Sequence, residues 1–246
     1  MNRILRPLTM FHVRGIPVQI HTSTLLFYFV LVLLMEHSIV LALYGTFLIF
    51  LYIAPSVLLH EFGHVFAAMR CGIRTEFVMM IPLGAIAKMK SSGKTPQETL
   101  KIALAGPLVS FLLFTIVPCL LALVDVLDPA LWSESPWYRS AVAWSLQFSW
   151  LNLILSGFNL LPLYPMDGGR ALRALLSMKF SERSAQQFTE ALAKIGALGL
   201  GTFGVMNGYW IMVMIAILVY FLSSRHEPTY AEMSPQRPDP LLSHID

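Results

Sequence analysis

The chain has 246 residues, of which 56% are hydrophobic and only 13% charged, about half the charge of an ordinary soluble domain; its mean hydropathy is +0.66. Such a composition excludes a disordered chain. A formal net charge of +3 with no basic run excludes a nucleic-acid-binding domain.

The length is therefore best counted in membrane spans of about 20 residues each. Pro7, Arg14, Gly15 and Pro17 interrupt the N-terminal stretch before any long apolar core, so no cleavable signal peptide is expected. Apolar blocks then follow one another, and the reading is an all-α polytopic membrane protein with about six transmembrane helices, at roughly 22–36, 38–66, 101–124, 141–161, 185–206 and 209–223. The last two come from one uncharged stretch, 195–222, longer than a single bilayer needs and divided at Asn207–Gly208. Residues 1–224 form one transmembrane domain, and 225–246, with Pro228, Pro235, Pro238 and Pro240 among polar residues, reads as a disordered cytoplasmic tail.

Charge supports this count. With six spans, every Lys and Arg except Arg139 falls in the N-terminus, 70–101, 162–194 or the tail. By the positive-inside rule these segments, and both termini, are cytoplasmic. Trp132, Trp137 and Trp144 flank the other face as an aromatic belt. Gln147 and Asn152, polar within the fourth block, are read as interhelical hydrogen-bonding groups, and Gly199, Gly201, Gly204 and Gly208 as close-packing positions or a flexible gate. Cys71 and Cys119 are far apart and imply neither a disulfide framework nor a nucleophile.

Chemistry enters at residues 57–66, VLLHEFGHVF. His60, Glu61 and His64 form HExxH. On a helix, positions i and i+4 share a face, so both imidazoles can hold one zinc ion while the neighbouring Glu acts as general base. The bland alternative is a pair of core histidines bonded to backbone, but ionisable groups at membrane depth are costly and default to function. Zinc needs a third protein ligand. Asp167 stands out, in NLLPLYPMDGGR just after the fourth block, where Pro162 and Pro165 stop a helix and Gly168–Gly169 permit close approach. The alternative is an ordinary loop aspartate before Gly-Gly.

HEFGH on an apolar helix, followed about 100 residues later by NxxPxxPxDGG, resembles the site-2 protease family of intramembrane zinc metalloproteases, in its compact sporulation-type form. IPVQIH at 16–21 resembles the family's strand-like lead into the first helix, MIPLGAIAKM at 80–89 its membrane-associated β-hairpin, and AGPLVSFLL at 105–113 its third-helix signature. The resemblance implies His60, His64 and Asp167 as ligands of one zinc ion, Glu61 as the catalytic base, and Asn159 as a substrate or oxyanion contact; a helix-end cap is the alternative for Asn159. The hairpin around Gly84 and Ala85 would bind extended substrate by strand addition, a plain amphipathic loop being the alternative. Ala85 stands where many members have a second Gly, and Ser110 where Asn is common; both departures are expected to touch supporting structure rather than the metal. No PDZ or CBS module fits the remaining residues.

The expected activity is hydrolysis of peptide bonds at or near the cytoplasmic end of a substrate's transmembrane helix, in regulated intramembrane proteolysis. The expected partners are that substrate, the bilayer and a regulatory membrane protein, with no nucleic acid; the expected location is a prokaryotic inner or plasma membrane. The competing readings are a membrane metal transporter and a catalytically inactive scaffold. A transporter would usually show repeated halves and polar residues in several helices. This chain concentrates its ionisable groups in one constellation.

Overall fold

The computed structural model describes residues 7–36, 38–82, 84–91, 93–128 and 135–223. The tail 225–246 and Trp132 lie outside the described residues. The chain divides into two compact units, one of residues 1–90 and 105–159, the other of 91–104 and 160–246.

In the first unit the polypeptide opens on strands β1 (Leu8–Val13) and β2 (Ile16–Ile20), then helices α1 (Thr22–Glu36) and α2 (Ile39–Arg70), then β3 (Thr75–Ile81) and β4 (Gly84–Met89). The strands form one sheet in the order β1-β2-β3-β4. Both hairpins are antiparallel, and the β2–β3 pair between them is parallel, with Val18 opposite Val78 and Ile20 opposite Met80. The expectation of an all-α chain with a single hairpin is thus corrected to a mostly helical chain with a four-stranded sheet. The missed hairpin is turned by Arg14 and Gly15, both at positive φ (51° and 81°), as the right-handed twist of a two-residue turn demands. β1 is exposed along nearly its whole length, so no alternating pattern announced it.

The sheet packs on α2 through Ile16, Val18 and Val78 against Phe62 and Val65. His21 N–H and the Thr24 hydroxyl both donate to the Met80 carbonyl (3.0 and 3.1 Å), tying the start of α1 to β3. Close packing of α1 on α2 needs Gly45, where a β-carbon would lie 2.7 Å from Val32 Cγ1.

Helix α3 (Pro96–Leu127) starts at Thr95-Pro96-Gln97-Glu98. The Thr95 hydroxyl accepts from Glu98 N–H (3.2 Å) and Glu98 Oε2 accepts from Lys94 N–H (2.8 Å), a reciprocal cap with proline at the first helical position. Helix α4 (Pro136–Asn159) runs beside it. Pro118 has no N–H to give the Phe114 carbonyl four residues back, and the buried Ser149 hydroxyl of α4 donates to that carbonyl instead (2.6 Å). Ser156 donates to the Pro107 carbonyl (2.9 Å), and Asn152 to the Ser56 hydroxyl of α2 (3.0 Å). Asn152 thus makes the interhelical bond expected of it, whereas Gln147 is exposed.

The second unit holds α5 (Asp167–Ser177), α6 (Glu182–Asn207) and α7 (Trp210–Ser223). Helix α5 occupies a stretch that reads as loop from its prolines and glycines. Ser181 caps α6, accepting from Ser184 N–H (3.2 Å). Gly208, in the left-handed region, ends it and reverses the chain into α7. Gly201 and Gly204 let the two helices close: β-carbons there would lie 3.3 Å from Ala216 Cβ and 3.0 Å from Val213 Cγ2.

By length and composition α2 and α3 can cross a membrane, and only 12% and 11% of their most apolar windows is buried. A core helix of a soluble protein would be mostly buried. Helices α1 and α7 are apolar but shorter.

Candidate metal centre

Helix α2 carries three functions on three faces, because successive residues step about 100° around the axis. Phe62 and Val65 point into the sheet core. His60 and His64 share another face and are both buried, at 4% and 3% exposure. Their rings meet edge to face with centroids 4.9 Å apart, and their Nε2 atoms are 3.3 Å apart. Two nitrogens bound to one tetrahedral zinc at about 2.0–2.1 Å each are separated by about 3.3 Å. The pair therefore has the spacing of two ligands of a single metal ion.

Helix α3 builds the wall that holds them. Its Ser110 hydroxyl, fully buried, lies 3.0 Å from His60 Nδ1. A serine hydroxyl can accept as well as donate; with Ser110 as acceptor the proton sits on Nδ1 and the Nε2 lone pair is left for a metal. One turn earlier, Gly106 faces both Nε2 atoms: a β-carbon would sit 2.7 Å from His60 Nε2 and closer still to His64 Nε2 and Cε1. Gly63, between the histidines in sequence, meets α3 in the same way, with its would-be β-carbon 2.6 Å from the Ala105 carbonyl oxygen. The two glycines let the helices approach and keep open the space in front of the imidazole nitrogens. Ser110 thus supports a histidine ring through its Nδ1.

Glu61 lies between the histidine face and the sheet face of α2. Its Oε2 accepts the backbone N–H of Ala87 at 3.1 Å. Ala87 sits opposite Val78 on the last strand of the sheet, and this N–H turns away from β3 toward α2. Because direction alternates along a strand, Ala85 also turns its N–H and carbonyl to the outer edge of β4. Gly84 (φ 142°) opens the strand opposite Ile81, with nothing near its β-carbon position. Glu76 and Lys88 pair across the hairpin at 2.9 Å, and the Lys88 ammonium holds the exposed Glu76 carboxyl below its usual range.

Asn159 is the last residue of α4, and its Nδ2 donates to the Leu155 carbonyl of its own helix (2.9 Å). In the second unit, Asp167 opens α5 and is 7% exposed. Arg170 Nη1 lies 3.8 Å from its Oδ1. Gly168 and Gly169 are required by the backbone of the preceding loop: a β-carbon on the first would collide with the Leu160 and Leu161 carbonyl oxygens, and on the second would lie 2.6 Å from Leu163 C.

The model of Peptidase family M50 matches residues 46–128 and 136–202, which include His60, Glu61, His64, Asn159 and Asp167. The chain belongs to this family. A zinc metalloprotease of Methanocaldococcus jannaschii is 34% identical to this M50 peptidase over 224 residues, which is 90% of this chain and 60% of that protein. The stage IV sporulation protein FB of Bacillus subtilis is 27% identical over 167 residues, 66% of this chain and 50% of that protein. The chain thus spans half to three-fifths of these curated relatives. Among solved structures, the site-2 protease from M. jannaschii superposes with a TM-score of 0.62 at 30% identity, covering 91% of this chain and 98% of that one. The site-2 protease resemblance read from the motifs is correct, and relatives within the family are named zinc metalloproteases.

Ala87 and Gly106 are the residues of this M50 centre that the motifs did not single out. Ala87 contributes only a backbone amide, so its side chain carried no signal. Gly106 lay in view, in AGPLVS, but nothing in one sequence told which helix its bare face would meet.

Proposed function

We propose that this M50 peptidase is an intramembrane zinc metalloprotease in which His60, His64 and Asp167 hold one catalytic zinc ion and Glu61 is the general base. The observation that carries the reading is the buried His60–His64 pair with its Nε2 atoms 3.3 Å apart, Nδ1 of His60 on Ser110 and a glycine in front of both rings. Two imidazoles and a carboxylate are a normal donor set for zinc. Asp167 is the third donor in this reading: a carboxylate is a normal zinc ligand, and this one is buried at the start of α5. Zinc, when bound, supplies a Lewis acid and lowers the pKa of water to near 7.

The remaining work belongs to the chain. Glu61 takes the proton of the attacking water and returns it to the leaving amide nitrogen. The Ala87 amide holds the carboxylate in a fixed orientation meanwhile. The substrate is a transmembrane helix whose peptide bonds are hidden by its own hydrogen bonds, so it must unwind before attack. The outer edge of β4, at Gly84 and Ala85, takes the extended segment by strand addition. Asn159 binds substrate near the scissile bond, exchanging its Leu155 partner for it.

Six spans, with both termini and residues 70–101 and 162–194 on the cytoplasmic side, place the reaction at the cytoplasmic end of the substrate helix in a prokaryotic inner or plasma membrane. Cleavage there releases a cytoplasmic fragment, under control of a regulatory membrane partner. The test uses the purified full chain in detergent with labelled single-span substrates. Fragments are expected from wild type and not from Glu61→Gln or chelated protein, while Glu61→Gln retains zinc. Equal cleavage by wild type and Glu61→Gln overturns the assignment of the base, and cleavage unaffected by complete metal removal overturns the metalloprotease reading.

A further inference from the structure

Beside the α2–α3 contact lies a cavity of about 470 Å³ within the first unit. Its floor is Gly63 against Ala105, each one residue from a position at the metal centre, His64 and Gly106. Phe66, Leu108 and Val109 give it apolar walls. Its rim carries two guanidinium groups, Arg14 and Arg70, and no carboxylate lines it.

Arg14 is an unusual residue for its place. It occupies a left-handed position of the β1–β2 turn (φ 51°), where Asn, Asp or Gly is the ordinary choice. Backbone outliers of this kind concentrate where a side chain has a task. The side chain lies over the Phe66 ring, 5.4 Å from its centroid, at the mouth of the cavity. Arg70 ends α2 on the same rim. Both are exposed, and no acidic residue pairs with either among the described residues.

Two unpaired guanidinium groups above an apolar slot match one ligand class: an anion joined to hydrocarbon. Guanidinium forks suit phosphate oxygens bidentately, and partly exposed Phe66 and Leu108 suit an acyl chain. We propose that the cavity binds an anionic phospholipid, with its phosphate between Arg14 and Arg70 and the start of an acyl chain along Phe66, Leu108 and Val109. This rests on the membrane-embedded reading above, since Arg70 then sits at the cytoplasmic headgroup level. Basic clusters at that level attract anionic lipid in general. The specific content here is a single built pocket, whose floor is the α2–α3 contact that holds His60 and His64.

Native mass spectrometry of the full chain in detergent tests it, with phosphatidylglycerol, phosphatidylcholine and inorganic phosphate as probes. Wild type is expected to retain one phosphatidylglycerol in preference to phosphatidylcholine. Arg14→Gln/Arg70→Gln should weaken that retention about tenfold, while Lys179→Gln, an exposed basic residue elsewhere, should leave it unchanged. Leu108→Trp, which keeps both arginines and fills the slot, should also lower it. Equal retention of the two lipids, equal loss in the Lys179 variant, or one-for-one displacement by inorganic phosphate overturns the proposal. Zinc content and substrate cleavage of the same preparations separate the readings: a wild type with no lipid preference but with zinc and cleavage intact sinks this inference alone, and a wild type lacking both zinc and cleavage sinks the protease reading.

Discussion

The Glu61 carboxylate accepts the backbone N–H of Ala87 at 3.1 Å, joining the HExxH helix to the edge strand of the sheet. Geometry makes the bond available: the Glu61 face of α2 lies between the face that packs on the sheet and the face that carries the imidazoles. A base must be aimed as well as basic, and an amide fixed in a β-ladder aims it without a mobile side chain.

Ala87→Pro removes this donor. Its N–H serves no ladder bond, so a proline is tolerated on an edge strand. The expected result is a loss of about tenfold or more in kcat, within the 10²–10⁴ that a positioned general base supplies, with zinc stoichiometry unchanged. Ala87→Gly, which keeps the amide, should stay near wild type. Steady-state cleavage beside metal analysis decides it; an Ala87→Pro protein as fast as wild type removes the contact from the mechanism.

The Ser110 hydroxyl of α3 lies 3.0 Å from His60 Nδ1 and, as its acceptor, sets which ring nitrogen faces a metal. Ser110→Ala removes this partner of Nδ1 and weakens the ring's basicity. Loss of such a support typically costs about 10–100-fold in metal affinity. Competition titration with a zinc chelator reads this directly. Ser110→Thr, which retains the hydroxyl, should recover most of it. Unchanged affinity in Ser110→Ala would show that packing alone orients His60.

Some of this was legible in the residues and some could not be. HExxH is a pattern of side chains at helical spacing, so His60, Glu61 and His64 declared their shared helix from sequence alone. The break at Asn207–Gly208 was equally plain, because an αL residue after a helix favours glycine. Strand β1 was hidden since its residues are exposed on both faces and do not alternate. Helix α5 was hidden because Gly168 and Gly169, which read as loop formers, are there to let a helix pass the carbonyls of Leu160 and Leu161. Ala87 and Gly106 act through an amide and through the absence of a side chain, and only three-dimensional neighbours give such features meaning.

Gly106 gives the sharpest steric prediction. Alanine in a helix interior ordinarily stabilises by about 0.5–1 kcal/mol relative to glycine. Here the new methyl group would push into both Nε2 atoms. Gly106→Ala should therefore lower zinc affinity at least about tenfold, a shift comparable to loss of an orienting partner. Gly157→Ala, in α4 with nothing within 4 Å of its β-carbon position, should bind zinc as wild type does. Equal affinity in the two variants would show that the imidazole nitrogens do not face α3 when metal is bound.

Ser149 makes a prediction about the scaffold alone. Pro118 deprives the Phe114 carbonyl of its helical donor, and the Ser149 hydroxyl replaces it across the α3–α4 boundary at 2.6 Å. Ser149→Ala strands a carbonyl in a place where water is scarce, which costs about 1–3 kcal/mol. Ser140→Ala is the matched control: its hydroxyl bonds the Pro136 carbonyl of its own exposed first turn (3.2 Å), and the expected change is within about 0.5 kcal/mol. Unfolding of each variant in the same detergent measures the difference. If Ser149→Ala proves as stable as Ser140→Ala, the Phe114 carbonyl has another donor, and the proline in α3 needs no help from α4.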